Sequence, residues 1–110
     1  MLLPNRHLAR VDRSKIVDYL LSRAHPHGCS KAAFFLRLGF TVAEWHLLAD
    51  GLVRVGTSNH VASVVPSLHG VRYTVDGNLE CPDGRKPRVR TVWIVELQKH
   101  APRLVTSHPR

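Results

Sequence analysis

Two groups of residues have the types that phosphate chemistry needs. The first is His25-Pro26-His27-Gly28-Cys29-Ser30-Lys31. A histidine in a Pro/Gly loop just before a helix start sits where free amides and the helix dipole favour an anion. Lys31 falls in the first turn of that helix, where a cation opposes the dipole, a small cost that hints at another role. The second group is Arg72, Asp76, Arg90, Thr91 and Thr106, on segments that alternate apolar and polar residues. Metal-free RNA cleavage needs a base for the 2′-hydroxyl, an acid for the leaving oxygen and a cation on the phosphate. Histidine and carboxylate serve the proton transfers. Arginine suits the phosphate because it is always charged and binds through two parallel donors, and threonine can donate to a phosphoryl oxygen. The residues that could carry such chemistry are therefore His25 and Lys31 with Arg72, Asp76, Arg90, Thr91 and Thr106. Arg72, Arg88 and His69 are candidate nucleic-acid contacts, with His69 in a turn at the rim of the same face. Each also has an ordinary reading: a surface histidine beside proline, a solvated lysine, and cross-strand Arg–Asp pairs on an exposed sheet.

The elements that must position these residues can be read from period and punctuation. Ile16, Tyr19 and Leu20 share one face of a first helix over about Arg13 to Ser22, with Asp12 or Ser14 as its cap. Pro26 and Gly28 end it. A second helix starts near Ser30, buries Ala32 and Phe35, and stops at Gly39, which is placed for a left-handed C′ position. Thr41-Val42-Ala43-Glu44 reads as a capping box, with Phe40 and Trp45 as a hydrophobic staple. The third helix is expected to fade between Gly51 and Gly56. Strands follow over His60 to Val65, stopped by Pro66, then Val71 to Cys81, Arg88 to Leu97 and Arg103 to Ser107. Pro82-Asp83-Gly84-Arg85 supplies the central turn. Helices followed by strands predict an α+β fold, three N-terminal helices packed on a four-stranded antiparallel β-meander. Residues 1–11 read as a loosely ordered lead, 12–56 as a helical half and 60–108 as the sheet of a single domain. Val71, Tyr73, Val75, Leu79 and Cys81, with Val89, Trp93, Val95 and Leu97, form the face toward the helices.

The chain has 110 residues and a formal charge of +8, with eight histidines besides. Such a balance favours polyanions, nucleic acid first among them, or an acidic protein partner. Cys29 and Cys81 are lone cysteines without metal or redox spacing, so a reducing, cytoplasmic setting is expected. The N-terminal residues lack the apolar run of a signal peptide, and no segment approaches membrane-spanning length. There is no His-Glu-x-x-His, no Gly-x-x-x-x-Gly-Lys and no Gly-x-Gly-x-x-Gly, so neither a metal site nor a cofactor is expected.

Several motifs together resemble an uncharacterised bacterial domain family. They are Tyr19 to Leu21, His25 to Phe40, Gly70 to Leu79, Val89 to Ile94 and Pro102 to Thr106. The same patterns are similar to C-terminal domains of bacterial polymorphic toxins, grouped with barnase, EndoU, colicin and RelE-like ribonucleases. The resemblance implies helices followed by a four-stranded antiparallel sheet, and points to His25, Lys31, Arg90, Thr91 and Thr106. It implies a metal-independent endoribonuclease, the toxin of a toxin–antitoxin or polymorphic toxin system, with RNA as substrate and a small acidic antitoxin or immunity protein as partner. The alternative is a non-catalytic basic module that binds RNA or an acidic protein.

Overall fold

The computed structural model describes residues 1–110. Helix α1 begins as Arg13–Lys15 and continues as one π-helical turn, Ile16–Leu20. Helices α2 (Cys29–Arg37) and α3 (Trp45–Ser58) follow. Four strands complete the chain: β1 (Val61–Ser67), β2 (Gly70–Asn78), β3 (Arg88–Glu96) and β4 (Arg103–Pro109). They form one antiparallel sheet in the order β1-β2-β3-β4. The α+β plan read from the sequence is the plan found.

The apolar alternation sets which sheet face meets the helices. Val75, Leu79, Val89 and Trp93 are fully buried against Ile16, Leu20, Phe35, Leu52 and Val55. Farther along the hairpin the same face leaves the helices behind, and Leu97 is 65% exposed.

Helix α3 does not fade at its glycines, and the reason is packing. An added Cβ at Gly56 would meet the Trp93 ring, 2.6 Å from Cε2 and 2.7 Å from Nε1. At Gly51 it would meet Leu79 Cδ1 at 2.8 Å. Both glycines let the helix lie close on the sheet, so the chain accepts their poor helix propensity at these positions. The start of α3 also differs from the capping-box reading. The Thr41 hydroxyl accepts the Glu44 amide hydrogen at 3.2 Å, as expected, but helical geometry begins only at Trp45.

Two more boundaries shift for physical reasons. Pro66 lies inside β1 because β1 is an edge strand, where a missing amide hydrogen removes no ladder bond. The lead is tied down rather than loose. Leu3 is buried, the Val61 amide donates to the Met1 carbonyl at 2.7 Å, and Arg10 bridges to Arg103 of β4. The Pro82–Arg85 turn is present, with the Gly84 amide donating to the Cys81 carbonyl at 3.0 Å. The loop carrying it is clipped to the end of α2. The Asp83 amide donates to the Leu38 carbonyl at 3.3 Å and Arg85 Nη2 to the Arg37 carbonyl at 2.8 Å.

Candidate active site

Tyr19 is the centre of a hydrogen-bonded constellation at the wall of an open cleft. It sits on the π-helical turn, where the Leu21 amide donates to the Ile16 carbonyl at 2.8 Å, an i to i+5 bond. Such turns are rare and concentrate at functional sites, because the extra residue re-aims side chains. The Tyr19 hydroxyl accepts a hydrogen bond from Lys31 Nζ at 2.8 Å and lies 3.1 Å from Thr106 Oγ1. Three separate elements, α1, α2 and β4, thus converge on one phenol oxygen. Gly28 makes the convergence possible: a Cβ there would collide with the Tyr19 carbonyl oxygen and lie 3.1 Å from the ring. Only glycine lets the loop before α2 approach α1 this closely.

Burial alone would push the Tyr19 phenol up. The hydrogen bonds from Lys31 and Thr106, and the charges of Lys31 and Lys15, outweigh it, so the phenol is held below its ordinary value. It opens onto a cleft of about 540 Å³ lined by Ser14, Lys15, Asp18, Tyr19, His25, His27, Val105 and Thr106. A second hollow, about 220 Å³ between α3 and β2, holds the exposed Arg54–Glu80 pair and no proton-transfer pair.

His25 stands against Tyr19 edge to face, with ring centroids 4.8 Å apart. Its Nδ1 accepts the amide hydrogens of His27 at 3.0 Å and Gly28 at 3.1 Å. A nitrogen that accepts two backbone donors cannot carry the proton, so the neutral ring holds its hydrogen on Nε2. That arrangement makes His25 a hydrogen-bond donor in the cleft.

The remaining candidates are placed as follows. Arg90 is a direct ladder partner of Asp76 and gives it two hydrogen bonds, from Nε at 2.8 Å and Nη2 at 3.0 Å. Arg110 adds a third at 3.0 Å. The Arg90 hydrogen bonds, followed by its charge and those of Arg110, hold the Asp76 carboxyl below its ordinary range despite burial. Val92 faces Thr106 in the ladder and Arg90 faces His108, so Arg90 is a diagonal neighbour of Thr106. No hydrogen bond or ion pair joins it to Tyr19 or Lys31. Thr91 is not at the site. It is fully buried on the helix-facing side, donating to the Val75 carbonyl at 2.7 Å and accepting from Trp93 Nε1 at 2.8 Å. The odd-residue alternation that buries Val89 and Trp93 buries Thr91 with them. Arg72, Arg88 and His69 are exposed, on the outer part of β2, the start of β3 and the β1–β2 turn. They do not border the Tyr19 cleft.

Sequence reasoning missed Tyr19 because helical period assigns it to the core, and it is indeed half-buried. The signal was its place in the Tyr-Leu-Leu motif beside the His-Pro-x-Gly loop. Lys15 and Asp18 carry no sequence signal beyond charge on an amphipathic helix and were not singled out. No three His, Cys, Asp or Glu side chains come together as a metal-ligand set.

The fold and the cleft define a class of small α+β domain with helices preceding an antiparallel sheet. Within that class, the chain matches the domain of unknown function DUF6883 over residues 2–110 and belongs to that family. No curated protein matches it. Among solved structures it is similar to a chain of the contact-dependent growth inhibition toxin–immunity protein complex from Klebsiella pneumoniae 342. The TM-score is 0.73 at 21% identity, covering 93% of this chain and 100% of the other. No helix is long and apolar enough to cross a membrane.

Proposed function

We propose that this domain is a metal-independent endoribonuclease, the toxin half of a toxin–immunity pair. The observation that carries the reading is the chain Lys31 Nζ–Tyr19 Oη–Thr106 Oγ1 at the wall of an open cleft. A phenol bound by an ammonium group gives up its proton more readily than a free one, because the cation stabilises the phenolate left behind. Tyr19 then acts as the acid for the 5′ leaving oxygen. Asp18, the one carboxylate in the cleft lining, takes the 2′-hydroxyl proton. His25 donates through Nε2 to a phosphoryl oxygen. Arg90, oriented by Asp76, has its Nη1 hydrogens free for a neighbouring phosphate of the same strand, with Arg72 and Arg88 as outlying contacts.

The similar chain comes from a toxin–immunity complex, which supports a protein partner. A formal charge of +8 favours the RNA-directed member of such a pair over its acidic inhibitor. The test is Tyr19→Phe, which keeps the ring and removes the hydroxyl. Cleavage of total tRNA and rRNA in EDTA should fall by about 10²–10⁴-fold, the usual worth of a general acid, with the circular dichroism spectrum unchanged. Equal cleavage by the variant would remove Tyr19 from the chemistry. Binding without cleavage by the unmodified protein would favour the non-catalytic module.

A further inference from the structure

Lys15 and Lys31 bring their ammonium groups to 4.9 and 5.1 Å from the centroid of the same Tyr19 ring. Lys15 gets there because it precedes Tyr19 by four residues, one helical turn on the same face. Neither lysine has a carboxylate within ion-pair distance: every ion pair in the molecule is made by an arginine. The two lysines differ in what else they touch. Lys31 donates to the Tyr19 hydroxyl and to the His27 carbonyl at 3.3 Å. Lys15 is half-buried in the cleft lining, and its ammonium group has no hydrogen-bond partner beyond the ring face. Two ammonium groups at one tyrosine, Lys15 by the ring and Lys31 on the hydroxyl, repel, and the aromatic ring offsets only part of that. An anion seated between them would relieve it. The polar groups facing this space besides Lys15 and Tyr19 are Ser14, Asp18, His25, His27 and Thr106. The hydroxyl of Ser14 and the Nε2 hydrogen of His25 add neutral donors, which suits an anion with several oxygens better than one with two.

We propose that Lys15 is the principal oxyanion ligand of this cleft and takes the phosphoryl oxygen of an RNA backbone, while Lys31 stays on the Tyr19 hydroxyl. The identity of the substrate rests on the ribonuclease reading; the anion site does not. Lys15 then takes the phosphate contact that sequence reasoning gave to Lys31 together with Arg90.

The test is a titration of the full chain with inorganic phosphate, followed by NMR of the Tyr19 ring and the lysine side chains. Saturable shifts are expected in the unmodified protein and in Lys99→Gln, whose lysine lies in the β3–β4 loop. Lys15→Gln should weaken phosphate about tenfold, the scale of one charge-assisted contact, with Lys15→Arg restoring most of it. Lys31→Gln should weaken it less, and should instead move the alkaline fall of any cleavage activity to higher pH, since Lys31 is what holds the phenol down. The proposal is overturned if the unmodified protein shows no saturable shift, if Lys15→Gln binds normally, or if Lys31→Gln loses more affinity than Lys15→Gln. Acetate binding as well as phosphate would overturn it in favour of a partner's carboxylate. If the phosphate results hold but no RNA is cleaved, Lys15 stands and the ribonuclease reading falls.

Discussion

Replacing Gly56 by alanine sets helix propensity directly against packing. In an exposed helix interior the change would stabilise by about 1 kcal/mol. Here the new methyl would lie 2.6 and 2.7 Å from two atoms of the Trp93 ring, where carbon contacts are comfortable only near 3.5–4.0 Å. Helix or ring must therefore move by roughly 1 Å. The ring has little freedom, because Trp93 is fully buried and its Nε1 donates to Thr91, which is itself bonded to the Val75 carbonyl. Overpacking of this kind costs about 1–3 kcal/mol, and a strained or lost buried hydrogen bond adds about 1–3 kcal/mol. The net expectation is a loss of about 1–5 kcal/mol, the sum of these terms less the propensity gain. Gly51→Ala is the contrast: its methyl meets only the end methyl of the buried Leu79 side chain, which yields more easily than a hydrogen-bonded ring, so the net effect should lie within about 1 kcal/mol of zero. Urea unfolding followed by tryptophan fluorescence measures both. Gly56→Ala as stable as the parent, or more so, would refute the claim that this glycine exists to admit Trp93.

Three further outcomes are expected. Thr91→Val should cost about 1–3 kcal/mol by leaving Trp93 Nε1 without its acceptor, and should leave phosphate affinity unchanged; a loss of affinity at full stability would return Thr91 to the site. Asp76→Asn should lower the melting temperature by several degrees at neutral pH. Because the folded carboxyl is held below its unfolded value, that contribution is complete above about pH 4 and lost as pH falls through the folded value; a gap between parent and variant that persists undiminished in strong acid would contradict it. Burial, with Asp83 nearby, raises the Cys81 thiol to about 11, while Cys29 is exposed. Maleimide at neutral pH should label Cys29 first, as peptide mapping would show, and faster labelling of Cys81 would count against this burial.

The parts of the fold legible in the sequence were those set by local rules. Alternation identified the buried sheet face, and glycine after α2 marked its left-handed stop at φ 97°. Where sequence reasoning failed, a distant residue had decided the matter. Gly51 and Gly56 read as helix breakers until Leu79 and Trp93 are seen beneath them. The site followed the same division. His25, Lys31 and Thr106 were named from residue type and motif, and they do meet at one place. Tyr19, the side chain they meet on, has a helical position indistinguishable from a core residue. Thr91 was misplaced although its own alternation puts it inward.

The clip between the β2–β3 loop and the end of α2 has a mechanical consequence. Helix α2 has nine residues, about 14 Å of rise. Lys31 stands near one end of this rod, and the other end is fastened by Asp83 and Arg85. The loop is exposed and carries a sharp turn, which would ordinarily make it the natural place to splice in a tag or an extra segment. In this chain it is a foot on which the lysine-bearing rod stands. Lengthening it frees the far end of α2, and the error is delivered at the phenol oxygen rather than at the splice.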